Sequence, residues 1–385
     1  MKRTATLAAC AATLTLAGCS SLDSLNPFGS KPDPRTQPAP LVALDNKATA
    51  TKVLWNVSVG SAAPYVLSPA VAGEAIFAAA ADGTLVRIEN GRQLWRINAG
   101  QKLSGGVGSD GKVVVVGTAK GDVLAFKADT GAAAWQAKVT SEILSAPLVA
   151  DNLVAVRSGD SRVYAFDAND GKRRWVYQRT TPALSLRAAT GMVAAPGAIL
   201  SGFSGGKLVA IATNNGAAVW EATVALPKGS TELERVADIT SRPVISGREV
   251  CAVAYQGRVA CFDAGSAQTL WARDVSSFSG MDVDSRNAYV SDDKGNVQAY
   301  DRKSGASVWK QDKLINRGLS RPMVISNYVA VGDALGYLHL LRREDGSIAG
   351  RAALDGSAVA AEPIRVGDAV LVQTVNGNLY AISLE

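Results

Sequence analysis

Short apolar runs and turn signals alternate along the chain at a regular beat. The stretch "GDVLAFKADTGAAAW", Gly121 to Trp135, shows the unit. Two residues after its glycine stands Val123, four after it Ala125, and five after it Phe126. The same columns recur in eight copies. The second position is Leu85, Val123, Val163, Leu208, Val259, Val297, Leu338 or Leu379. The fourth is usually alanine (Ala125, Ala165, Ala210, Ala299, Ala381), and the fifth is large, as in Ile88, Phe166 and Tyr300. Alternation of period two predicts a strand, and apolar residues on both faces predict a sheet covered on both sides. "TAKGD", "DDKGN" and "TVNGN" suit a three-residue hairpin loop that ends in a left-handed residue, which glycine supplies without steric cost. A second turn signal, "ADTGA" or "RKSGA", leads into a strand carrying tryptophan. "SAPLV", "SRPVI" and "SRPMV" read as innermost strands.

Spacing turns these strands into an architecture. The seven tryptophans stand at 55, 95, 135, 175, 220, 271 and 309, a period near 40 that belongs to propellers and arrays. Gly350 occupies the tryptophan place of one copy, and the last copy stops before reaching it. The chain opens on a lone tryptophan strand, "KVLWNVSVG", which predicts that this strand completes the final blade and leaves no open edge at the join. The expected fold is all-β: a single eight-bladed β-propeller of four-stranded antiparallel blades over residues 46–385, closed by pairing of its terminal strands.

Upstream, the pattern changes character. Lys2 and Arg3 precede an apolar stretch too short to span a bilayer, ending in Leu16-Ala17-Gly18-Cys19. This resembles a bacterial lipobox, which implies a signal peptide over 1–18 and lipidation of Cys19. Several acyl chains anchor far more firmly than one. Ser20 after the cysteine favours the outer membrane. Residues 19–45 carry Pro27, Pro32, Pro34, Pro38 and Pro40 and read as an extended tether.

Composition narrows the function. A formal net charge of +6 is spread without a basic stripe, which argues against nucleic acid as a partner. The single histidine, His339, falls at a variable column of the repeat, as a surface or inter-blade side chain, so a Ser-His-Asp triad or a His-rich metal site finds no support. Cys251 and Cys261 fall opposite each other in a hairpin as a non-hydrogen-bonded pair, about 4.5 Å apart at Cα. Two readings stay open there: a disulfide, or two small core residues. Asp129, Asp167, Asp263 and Asp301 sit at repeat positions that suit turn capping.

The repeat also resembles that of enzymes carrying pyrroloquinoline quinone. Those enzymes combine it with a vicinal Cys-Cys pair and long insertions, neither of which occurs here, so a quinone-dependent dehydrogenase stands only as an alternative, beside another envelope scaffold. No cofactor is expected. Lipobox, proline-rich tether and eight repeats together resemble the BamB family, lipoprotein subunits of the outer-membrane β-barrel assembly machine. The resemblance implies a non-enzymatic scaffold, anchored in the outer membrane and facing the periplasm, that docks on the periplasmic domains of BamA. Reception of nascent outer-membrane strands at an exposed edge extends it further, and no residue pattern here carries that extension. Two tryptophan intervals exceed 40, by 5 and by 11, and excess length in a repeat protein goes into loops on one rim. The family's contact motifs resemble stretches in these same intervals, which places Leu184, Leu186, Arg187 and Asp238 at the BamA interface. Thr240 stands where the family pattern has a second acidic residue.

Overall fold

The computed structural model describes residues 36–44 and 48–385. The expected signal peptide, Cys19 and most of the expected tether lie outside them. Among the described residues are eight four-stranded antiparallel sheets, arranged as the blades of a propeller. Blades 1 to 7 occupy 70–98, 108–138, 148–178, 192–223, 244–274, 280–311 and 323–353. Blade 8 takes three strands from 364–384 and its outermost from Thr51–Ser58, which pairs antiparallel with Asn378–Leu384. The terminal strands therefore close the ring, and no helix is long and apolar enough to cross a membrane among the described residues.

The middle strands of the blades are largely buried, as the doubly apolar pattern requires. In blade 2, Val113–Gly117 and Asp122–Lys127 are buried almost throughout. The alanine column has a specific use: Ala125, Ala165, Ala210 and Ala299 pair directly with Trp135, Trp175, Trp220 and Trp309 on the outer strand. The hairpin between the middle strands ends in a left-handed residue, as at Gly121 (φ 82°), Gly295 (φ 87°) and Ser161 (φ 62°). Blade 5 departs from this rule. There Gln256 (φ 47°) takes the left-handed position, and Gly257 serves a close approach instead, since a Cβ on it would stand 2.5 Å from Ala225 Cβ.

Tryptophans fasten each of blades 1 to 6 to the next. The indole N–H of Trp95, Trp135, Trp175, Trp220, Trp271 and Trp309 donates to a main-chain carbonyl in the second turn of the following blade: Ala128, Ala168, Thr213, Ala264, Arg302 and Arg343, at 2.6–3.1 Å. Five of these turns carry glycine where the ring crosses, and the blade 5 turn has Ala267 in the same left-handed place (φ 58°). A Cβ on Gly171 would stand 2.5 Å from the Trp135 ring. Asp167, Asp263 and Asp301 cap these turns through backbone N–H groups at 2.8–2.9 Å. Cys251 and Cys261 are disulfide-bonded, with Cα atoms 4.1 Å apart.

Around the axis the repeat is not uniform. The residues entering the innermost strands are small in five blades (Ser68, Gly106, Ala146, Gly191, Gly280) and charged in three (Arg242, Arg321, Glu362). The three charged residues find each other. Arg242 Nε lies 3.0 Å from both Glu362 oxygens, Arg321 donates to the same carboxylate, and Arg321 Nε reaches the Met281 carbonyl at 2.6 Å. Burial would raise the Glu362 pKa, but the two guanidiniums outweigh it and hold the carboxyl at about 2.

Two features differ from expectation. His339 is completely buried in blade 7, with Nε2 2.8 Å from Asp333 Oδ2. The compact unit begins at Pro38, not at 46, because residues of the tether are bonded to the propeller. The Ala39 and Val42 carbonyls accept from Arg317 and Arg351 at 2.7 and 2.9 Å.

Candidate functional site

In a propeller of this connectivity, the hairpins between middle strands share a rim with the connections from one blade to the next. Hydrogen bonds link the two kinds of loop, as from Gly159 N to Glu142 O (2.8 Å) and from Tyr255 N to Asp238 O (2.8 Å). The two longest connections, 179–191 and 224–243, therefore meet on one rim. Between them lies a depression of about 180 Å³ whose lining includes Glu142, Arg157, Leu186, Arg187, Asp238 and Thr240.

The organising residue is Asp238. Only 3% exposed, it accepts from Leu186 N at 2.7 Å through one oxygen and from Gly205 N at 3.0 Å through the other. Its carboxylate therefore ties the first long connection to the blade 4 hairpin, and its carbonyl holds the blade 5 hairpin. A buried carboxylate accepting two backbone N–H bonds orders loops that have no ladder of their own. It shapes the surface and does not present itself there. Thr240 is likewise buried, donating to the Phe278 carbonyl at 2.7 Å.

Leu184 and Arg187 face outward. Leu184 is 44% exposed, an apolar side chain with no burial to explain it, while Leu186 is half-buried. Arg187 makes a bidentate pair with Glu142, Nε to Oε1 at 2.8 Å and Nη2 to Oε2 at 2.7 Å, and its guanidinium sits 5.9 Å from the Tyr65 ring. The Glu142 bonds raise the Arg187 pKa above its ordinary value. Connections of three blade junctions thus converge on one cation, which fixes it without burying it. The depression brings Leu186, Arg187 and Asp238 together, and Leu184 lies on the same connection.

Several site residues carried little or no signal in the sequence. Glu142 sits in an ordinary inter-blade connection. Arg157 was legible: it ends a middle strand where other copies have Ala79, Gly117 or Val253. It donates to Ser201 Oγ at 2.8 Å and lies over the Phe203 ring at 4.5 Å. Desolvation pulls its pKa down to about 10 against the attraction of Asp238. The second long connection also exposes Leu226 (59%) and Leu233 (73%). Its tip is ordered by reciprocal bonds: Glu234 Oε2 accepts from Ser230 N and Thr231 N at 2.7 and 3.1 Å, and Glu234 N donates to Thr231 Oγ1 at 3.2 Å.

This is a β-propeller of eight blades built from quinoprotein-type repeats, with its irregular loops gathered on one rim. Within that class the chain belongs to the BamB family: the family model described as "Outer membrane protein assembly factor BamB" matches residues 86–311. An outer membrane protein assembly factor BamB from Bordetella pertussis is 44% identical over 372 residues, covering 96% of this chain and 94% of that one. The crystal structure of BamB from Moraxella catarrhalis matches with a TM-score of 0.82 at 28% identity, over 87% of this chain and 100% of that one. A quinohemoprotein alcohol dehydrogenase from Pseudomonas putida HK5 matches with a TM-score of 0.71 over 87% of this chain and 76% of that one. At 13% identity it shares the fold alone.

Proposed function

We propose that the protein is a non-enzymatic outer-membrane lipoprotein, anchored through Cys19 and facing the periplasm, that assists assembly of β-barrel proteins by docking on the periplasmic domains of BamA. The contact is the rim formed by the two long connections, with Leu184, Leu186 and Arg187 as contact residues and Asp238 as the residue that holds them in place. One observation carries this reading: the two connections that break the repeat close on the same depression, where one carboxylate orders both. A rigid ring with a pre-ordered rim suits a scaffold, since little ordering entropy remains to be lost on docking. The relatives' shared description as assembly factors supports the same reading over a quinone enzyme.

The test is capture of BamA by the affinity-tagged full chain. Leu186→Ala combined with Arg187→Glu should abolish BamA co-purification while leaving the unfolding midpoint close to that of the parent, because both side chains are at least partly exposed. Undiminished capture by the folded double variant would overturn the assignment.

A further inference from the structure

Six blades hand an indole N–H to the next, but blade 7 cannot. Its neighbour, blade 8, has no turn between its third and fourth strands, because these are the two ends of the folded chain. A tryptophan at position 350 would find no turn carbonyl to bond. Gly350 stands there instead, and a Cβ on it would lie 2.7 Å from the Thr49 carbonyl oxygen. The space is taken by the chain itself. Thr49 N donates to Ala349 O at 2.7 Å, Thr49 Oγ1 to the Tyr328 hydroxyl at 2.6 Å, and Thr51 Oγ1 to Arg351 O at 3.1 Å.

Further upstream the contacts continue on a prepared receptor. Arg317 Nη1 donates to Ala39 O at 2.7 Å, Arg351 Nη2 to Val42 O at 2.9 Å, and Ala39 N to Ile315 O at 2.9 Å. Neither arginine is loose. Arg317 Nε lies 2.7 Å from Asp333 Oδ2, the same oxygen that His339 meets at 2.8 Å, and Arg351 Nε approaches His339 Nδ1 at 3.5 Å. Arg317, Asp333 and His339 are all buried. The chemistry matches the ligand: Pro38 and Pro40 have no N–H, so an extended proline-rich segment offers mainly bare carbonyls, and guanidinium is the donor-only group that reads them.

We propose that Pro38–Leu44 and Ala48–Ala50 act as a strap that replaces the missing seventh tryptophan fastening, securing blade 7 to blade 8. The strap also has a direction. Ala39 lies beside Ile315, in the blade 6–7 connection, which is on the rim of the depression. The described part of the strap therefore begins on that rim, at Pro38.

Hydrogen exchange on the full chain reads the strap directly. The Ala39 and Thr49 amides should exchange at least about tenfold more slowly than in an unstructured peptide. Gly350→Ala, which pushes a methyl group against the Thr49 carbonyl, should abolish protection at Thr49. Arg317→Ala should abolish it at Ala39, and Arg351→Ala, which leaves the buried cluster whole, should weaken it there. Amides of Leu338 and Leu340 should stay protected and certify the fold. Peptide-like exchange in the parent, or protection unmoved by Gly350→Ala and Arg351→Ala, would overturn the strap. A photoreactive phenylalanine at position 38 should capture peptides containing Ile315 or Leu335, and capture of 343–347 on the opposite rim would overturn its direction. None of these readouts involves BamA, so the strap and the docking surface fail separately.

Discussion

The perimeter of the ring and its axis grow from the same repeat by opposite rules. At the perimeter one residue type solves the same problem six times: tryptophan donates to a carbonyl of the neighbouring turn, over an alanine in four blades and past a glycine in five of the turns. At the axis the equivalent column holds eight residues that solve one problem together. Small residues in five blades leave room for two long guanidiniums and the carboxylate between them. A Cβ on Gly191 would stand 2.9 Å from Arg242 Cβ, and one on Gly280 would stand 3.4 Å from Arg321 Cδ. The perimeter is a sum of nearest-neighbour interactions. The axial network instead joins blades 5 to 8, with the Met281 carbonyl as the blade 6 contribution, so its parts are not interchangeable.

That difference sets how each region breaks. Trp135→Ala should produce the largest effect, about 3 kcal/mol or more, because it removes a large ring packed against the next blade and leaves a gap between two sheets. Equilibrium denaturation measures it, and the loss should be similar for Trp175→Ala, since the fastenings repeat. At the axis, Glu362→Gln should cost about 3 kcal/mol by leaving two arginines without their counter-charge. Here pH separates the regions. The folded carboxyl is held at about 2, below its ordinary 4.5, so its stabilisation is complete above 4.5 and is lost as pH falls toward 2. The Gln variant should lose less stability than the parent between these limits, whereas Trp135→Ala should follow the parent's slope. Parallel pH curves for parent and Glu362→Gln would remove the axial network as a source of stability.

Repetition made the fold legible and left the site half hidden. Glycine, alanine and tryptophan at fixed offsets predict strands, hairpins, blade number and closure, because each copy must bury both faces against neighbours that do the same. The interval lengths locate the two long connections. What they could not convey was role. Asp238 reads as a surface acid in a polar loop, yet it is buried by three loops distant in sequence, and only their convergence gives its oxygens partners. Gly350 reads as a degenerate copy, and its meaning depends on Thr49, 301 positions away. The prolines of the tether read as a spacer for the same reason: Arg317 and Arg351, which donate to its carbonyls, carry no mark that distinguishes them from surface arginines.

The rim is the third region, neither periodic like the perimeter nor tightly charged like the axis, and the smallest effect tests it. Asp238→Asn keeps the shape of the side chain but replaces one acceptor oxygen with a donor, which cannot serve both Leu186 N and Gly205 N. Losing one such bond should cost about 1–2 kcal/mol of stability, well below the Trp135 and Glu362 losses. Its effect should nevertheless be concentrated on the rim. Exchange at the Leu186 and Gly205 amides should quicken, Trp135 and its neighbours should stay unchanged, and BamA capture should fall although no contact side chain was touched. The Leu186 and Arg187 double variant should show the reverse balance, a loss of capture with little change in stability. If Asp238→Asn leaves Leu186 exchange and BamA capture at parental levels, the carboxylate does not organise the rim, and the two long connections owe their shape to the packing around it.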